Sequence, residues 1–186
     1  MIRLEKQALT LNAAKVPGPG YRMDQTVKLT KTATPEDVVN HIQTALNSIS
    51  EPILKNLVVN SHGGPGMIYV GEKEVIVDCK KKTENIFIGI EHIGLFTQFK
   101  NKIDTIWLTG CQTAGSGIYR SGTFCSQLAR TISCNVVAAD VLQYINPGYY
   151  LKLFPKNCID EFEGTAYKWD ANGNKQVFSR RDWLKI

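Results

Sequence analysis

Three short apolar runs constrain this chain most: Leu57-Val58-Val59-Asn60, Thr105-Ile106-Trp107-Leu108 and Asn135-Val136-Val137-Ala138-Ala139. Each is continuous rather than alternating, which is the pattern of a strand buried on both faces. Each is also too short for an ordinary helix. Helical signals lie around and between them. Thr34 is a good N-cap, Pro35 follows at the first helical position, and Asp37 completes a capping-box-like Thr-x-x-Asp. Val38, Ile42, Ala45, Leu46 and Ile49 then recur at spacings of three and four. Residues 93–99 read as a second helical segment, and 123–133 as a third with Phe124, Leu128 and Ile132 on one side. Strands alternating with helices predict an α/β fold with a mostly parallel sheet covered by helices on both faces.

The remaining elements are weaker. Residues 26–29 alternate as a short strand. Residues 67–70 and 74–77 look like a hairpin turned at Gly71. The tail, 162–169 and 175–178, alternates about Asp170-Ala171-Asn172-Gly173 and predicts a C-terminal β-hairpin. The breaker cluster Pro17-Gly18-Pro19-Gly20 predicts that residues 1–20 form a peripheral arm. No repeat or linker divides the chain, and 186 residues suit one domain.

Composition removes several function classes. Apolar residues at 43% and charged residues at 21% are those of a globular protein, not a disordered one. The net charge of +5 is mild, and Lys80-Lys81-Lys82 is too short for a nucleic-acid arm, so it reads as a solvated loop or hairpin end. No apolar stretch approaches the ~20 residues of a membrane span, and charges interrupt the N-terminus before any signal-peptide core. Five cysteines without a CxxC pair argue against a disulfide framework or a zinc finger. A reducing, cytoplasmic setting is the default, with export by a route other than a classical signal left open. Exposed strand edges leave the oligomeric state open as well.

In a parallel α/β sheet, ligands bind beyond the carboxyl ends of the strands. Two of the buried runs end there in polar, glycine-rich sequence. The first continues into Ser61-His62-Gly63-Gly64-Pro65-Gly66, and the second into Thr109-Gly110-Cys111-Gln112-Thr113. A cysteine nucleophile needs an imidazole to hold the thiolate or to protonate a leaving group. It also needs backbone N–H groups around the developing oxyanion. His62 and Cys111 are the candidate catalytic pair, and the N–H groups of Gly63 and Cys111 are the candidate oxyanion hole. Gly63, Gly64 and Gly110 let main chain approach closely where a Cβ would intrude. Cys79, Cys125, Cys134 and Cys158 read as structural, as does the isolated His41, and His92 reads as a surface residue near a helix start.

His62 precedes Cys111 by 49 residues, near the separation of about 50 known for caspases. The apolar strand plus His62-Gly63, and the apolar strand plus a small residue and Cys111, resemble the two motifs of the caspase, gingipain, clostripain and legumain group of cysteine peptidases. The resemblance spans roughly residues 26–140. The motif here is Thr109-Gly110-Cys111 where the group often has Ala-Cys, and the caspase Gln-Ala-Cys-x-Gly is absent. The chain therefore looks more like the small bacterial members, some of which process toxins or act as secreted effectors. The resemblance implies a three-layer αβα caspase-like fold, a Cys-His dyad with no third member, a thioester intermediate, a peptide or protein substrate, and no cofactor or metal. It also points to Asp140, just past the strand after the cysteine helix, as a substrate-pocket residue that would favour a basic side chain. The alternative for Asp140 is a strand-end turn former. Gly64 and Thr113 are further substrate-binding candidates, and Ser116 and Tyr144 are rim candidates.

Rival motifs are incomplete. His62-Gly63-Gly64-Pro65-Gly66 resembles an α/β-hydrolase oxyanion loop, but no Gly-x-Ser-x-Gly elbow and no histidine beyond His92 accompany it. Gly115-Ser116-Gly117 completes neither a dinucleotide fingerprint nor a P-loop. The three histidines lack zinc-ligand spacing. The remaining alternative is an inactive member of the same fold that binds a peptide or protein.

Overall fold

The computed structural model describes residues 1–16, 20–115, 121–143 and 155–179. Its centre is a mixed seven-stranded sheet. In chain order the strands of the described residues are β1 (Ile2–Arg3), β2 (Ala8–Asn12), β3 (Gln25–Lys28), β4 (Leu54–Asn60), β5 (His62–Gly64), β6 (Met67–Val77), β7 (Lys80–Ile88), β8 (Ile103–Leu108), β9 (Asn135–Ala139), β10 (Cys158–Ile159), β11 (Ala166–Trp169) and β12 (Lys175–Val177). The large sheet runs β12-β11-β9-β8-β4-β2-β3. Five strands, β3, β2, β4, β8 and β9, are mutually parallel. The C-terminal hairpin β11–β12 adds antiparallel to β9. The three apolar runs of the sequence are the cores of β4, β8 and β9.

The helices are α1 (Pro35–Ser48), a 3-10 run (Ile90–Phe99) and α2 (Ser121–Ile132). The capping box of α1 forms as its sequence dictates: Asp37 N–H donates to Thr34 Oγ1, and Thr34 N–H donates to Asp37 Oδ2 at 2.9 Å. The segment read as helical at 93–99 lies in a 3-10 run. Its buried residues, Ile93, Phe96 and Phe99, recur every third position, which suits a helix of three residues per turn better than one of 3.6.

Strand parity sorts the core. Leu9, Leu11, Leu57, Val59, Ile106, Leu108, Val136 and Ala138 face one side and pack with residues of all three helices. Ala8, Val58, Trp107, Val137 and Ala139 face the other and pack with Ile2, Tyr21, Met23, Ile159, Phe162 and Phe178. Among the described residues the three helices lie on one face, and strand and loop cover the other. Topology supplies the reason. From β3 the chain steps to β4, β8 and β9 in one direction across the sheet. Crossovers of one hand, travelling one way, all lie on one face. Only the β2-to-β3 connection steps the opposite way, and it carries Tyr21 and Met23 onto the opposite face.

The expected N-terminal arm is corrected. β2 lies inside the sheet between β3 and β4, and all five of its residues are buried. Its apolar residues outweigh the breaker cluster, which marks only the exit from the strand. A second correction concerns β6. It runs unbroken through Gly71, where the pairing with β7 shifts register as in a β-bulge. A Cβ at Gly71 would collide with the main chain of Ala33. The hairpin turns instead at Asp78 and Cys79, with φ of 50° and 60°. Two left-handed residues between paired strands make the turn whose twist matches the strands. The Lys80-Lys81-Lys82 run opens β7 and is exposed, a hairpin end as its charge suggested.

Candidate active site

β2 and β4 are parallel neighbours, yet the chain leaves them in opposite directions across the sheet. Connections that diverge from adjacent strands open a crevice at their carboxyl ends. A cavity of about 360 Å³ lies there. It is lined by residues 13–15 after β2, by His62 and Gly63 after β4, by Cys111 after β8, and by Tyr69, Glu72 and Asn85 of the small β5-β6-β7 sheet.

Buried amides hold the strand ends that frame it. Asn60 Nδ2 donates to Asn12 Oδ1 at 2.8 Å, and Asn12 Nδ2 donates to the Tyr21 carbonyl at 3.0 Å. Ala13 N–H donates to the Asn60 carbonyl at 2.8 Å, which continues the β2–β4 ladder to the cavity mouth. Each of these buried amides is thus given a partner, and satisfied polar networks of this kind rigidify their surroundings.

His62 is exposed at the start of β5, and its Nε2 lies 3.1 Å from the Lys15 carbonyl. A carbonyl only accepts, so Nε2 carries a proton in this contact. In the neutral ring this leaves Nδ1 unprotonated. Cys111 is half-buried. Gln143 N–H donates to its Sγ at 3.4 Å, while the thiol faces the Gln143 carbonyl at 3.7 Å. The loop after Cys111 is pinned to the exit of β9: Gln112 N–H donates to the Val141 carbonyl and Ala114 N–H to the Ala139 carbonyl, both at 2.9 Å. Gln112 holds a φ of 52°. A non-glycine residue in this region carries backbone strain of the kind that gathers at functional sites.

The two loops touch through glycine. A Cβ on Gly63 would stand 2.7 Å from Thr113 Oγ1 and 2.8 Å from the Cys111 carbonyl. A Cβ on Gly110 would stand 3.1 Å from the Ser61 carbonyl and 3.3 Å from Gly63 Cα. Their missing side chains are what bring the histidine loop and the cysteine loop into contact.

The structure thus brings His62, Gly63 and Cys111 to one cavity. The expected substrate contacts do not join them. Thr113 is fully buried and donates to the Gly110 carbonyl at 3.2 Å. Gly64 is buried beside Tyr69. Asp140 accepts from Thr165 N–H at 3.1 Å and from the Tyr167 hydroxyl at 3.3 Å, fastening β9 to the C-terminal hairpin. The strand-end alternative describes Asp140 better than a pocket residue does. Ser116 and Tyr144 lie outside the described residues.

The other thiols differ from Cys111. Burial pushes Cys125 and Cys134 up to about 12, so neither is a thiolate at neutral pH. Cys158 is buried, and Cys79 is exposed at a hairpin turn away from the cavity. Among the described residues no group of three or more His, Cys, Asp or Glu side chains is placed to hold a metal ion.

Sequence reasoning missed the most unusual residue of the cavity. Glu72 is 7% exposed. It forms an ion pair with Lys15, and its Oε2 lies 3.7 Å from Lys31 Nζ. That oxygen is buried and has no hydrogen-bond partner. A signal was present: Ile68, Val70 and Glu72 share the parity that faces the interior, so the pattern put a carboxylate at an apolar position. No protein-family model, curated protein or solved structure matches the chain. Function is therefore argued from the site itself.

Proposed function

We propose that the chain is a cysteine endopeptidase of caspase-like architecture, with Cys111 as nucleophile and His62 as proton donor and acceptor. The observation that carries this reading is the shared cavity: an exposed imidazole and a half-buried thiol, from separate strand ends, line one hollow at the switch point of the sheet. In the reaction the Cys111 thiolate forms a C–S bond to the peptide carbonyl carbon. The carbonyl electron pair moves to oxygen, where the N–H groups of Gly63 and Cys111 are the candidate donors. As the oxyanion collapses, the C–N bond breaks and His62 gives its proton to the leaving amine. Water then attacks the thioester and gives a proton to His62; the C–S bond breaks, the acid is released, and the Cys111 thiolate is restored beside protonated His62.

The test is peptide hydrolysis together with alkylation by iodoacetamide. Both are made in a Cys79→Ser background, because that exposed thiol would otherwise label regardless of His62. Hydrolysis lost in Cys111→Ala and in His62→Ala, with Cys111 labelling slowed by His62→Ala, supports the reading. Hydrolysis that survives either substitution removes it.

A further inference from the structure

Glu72 has no part in the dyad, yet it occupies the same cavity. Its side chain is 8% exposed, whereas those of Lys15 and Lys31 are 58% and 69% exposed. The carboxylate is therefore the built-in group, and the two ammonium ends are open to water. The group with unmet bonding capacity is the acceptor: Oε2 is buried without a hydrogen bond. A buried acceptor in that condition carries a desolvation cost that a donor relieves. The position is fixed by the fold. Gly71 brings β6 against the main chain of Ala33, and Glu72 N–H donates to the Lys31 carbonyl at 2.8 Å.

Residues 13–15 form one wall of the cleft. The Lys15 carbonyl accepts from His62, and its ammonium pairs with Glu72. One residue thus presents a carbonyl to the catalytic imidazole and a cation to the buried carboxylate. A volume near 360 Å³ is at the small end of ligand sites, enough for one long side chain and its main chain.

We propose that Glu72 is the specificity-determining carboxylate of this cleft, that it selects a basic side chain beside the scissile bond, arginine above lysine, and that Lys15 holds its place in the substrate-free chain. A guanidinium fork satisfies both carboxylate oxygens at once, which an ammonium point charge does not. Displaced Lys15 returns to solvent with little loss, because its ammonium end is already largely exposed, while the buried carboxylate is met by the incoming guanidinium. This inference rests on the peptidase reading for its substrate, but its binding arm does not.

The test uses the full chain, Glu72→Gln and Lys15→Ala with acylated peptide amides that differ only in the residue before the cleavable bond: Arg, Lys, Gln, Leu or Asp. Binding of the arginyl peptide to Cys111→Ala and to Cys111→Ala/Glu72→Gln is measured by calorimetry. Thermal melting and Cys111 alkylation by neutral iodoacetamide report whether Glu72→Gln keeps the fold and the thiol. Expected are a preference for Arg, a kcat/KM for the arginyl peptide about 10- to 100-fold lower in Glu72→Gln, and one about 2- to 5-fold higher in Lys15→Ala. Cys111-dependent hydrolysis that is indifferent to Glu72→Gln, or that prefers Leu or Asp, overturns this inference and leaves the peptidase standing. Absence of Cys111-dependent hydrolysis, with arginyl-peptide binding that Glu72→Gln abolishes, overturns the peptidase and supports the carboxylate's role. Should Glu72→Gln fail to fold, Lys15→Ala decides: no gain in arginyl-peptide binding or turnover overturns the inference.

Discussion

Replacing Gly63 by alanine tests the contact on which the site is built. The new Cβ would lie 2.8 Å from the Cys111 carbonyl and 3.3 Å from the Cys111 nitrogen, both main chain, and 2.7 Å from Thr113 Oγ1. Ordinary van der Waals contact begins at 3.4 Å, so the cysteine loop must retreat by about 0.6 Å. It has little room to do so. Thr113 is fully buried, and Gln112 and Ala114 are bonded to the carbonyls of Val141 and Ala139. Overpacking of this kind costs about 1–3 kcal/mol, which for a chain of this size lowers the melting temperature by about 2–12 °C. The dyad suffers more than the fold. A displacement approaching 1 Å at a reacting group costs up to about 100-fold in rate, so Cys111-dependent hydrolysis should fall at least about 10-fold. Gly94→Ala is the control, because a Cβ there meets nothing within 4 Å. Melting by calorimetry and initial rates read both effects. A Gly63→Ala chain that melts and turns over like the parent would refute the contact between the two loops.

Three further outcomes follow from particular groups. Asp24 accepts from the N–H groups of Gln7 and Ala8 and pairs with Lys156; burial alone would raise its pKa, but the bonds from Lys156, Asn157, Ala8 and Gln7 together hold it below the usual carboxylate value. Its stabilising contribution is therefore present above about pH 3.9, the unfolded value, and is lost as pH falls through the lower folded value. Asp24→Asn should thus lower the melting temperature at pH 7 and converge with the parent in strong acid; an undiminished gap at the acid end would contradict it. Asp140→Ala should destabilise by about 1–3 kcal/mol, because Thr165 N–H and the Tyr167 hydroxyl lose their acceptor, while the ranking of substrates stays the same; a change of ranking would restore Asp140 to the pocket. Cys79→Gly should raise stability by about 1 kcal/mol, since glycine carries no penalty at a φ of 60°, and denaturant melts would show it; a loss of stability would mean that the thiol packs in a way its exposure denies.

Much of the scaffold was legible in the chain. The runs at 57–60, 105–108 and 135–139 became β4, β8 and β9, because continuous apolarity has few other solutions. Thr34, Pro35 and Asp37 placed the start of α1 by local chemistry alone. The turn expected at Gly71 failed for a local reason too, because a glycine in a strand can mark either a turn or a bulge; at 93–99 the pattern gave the helix but not its type, because a period of three lies close to 3.6. The arm at 1–20 was misread because a breaker cluster says where a strand ends but not where the strand lies in the sheet.

The site divides along the same line. His62, Gly63 and Cys111 could be picked out because each follows a buried strand, and strand ends are where a parallel sheet presents its chemistry. That Glu72, Lys15 and Lys31 join them while Asp140 does not was invisible in the one-dimensional order. Which strands are neighbours, and on which face each crossover runs, is set by the handedness of connections and by long-range burial. β2 sits beside β4 only because the chain steps one way to β3 and then reverses, and that reversal opens the cleft. The chain's own periodicities determined the strands and helices; the tertiary fold decided which charges share the thiol's cavity, because only packing brings residues 15, 72 and 111 to one hollow.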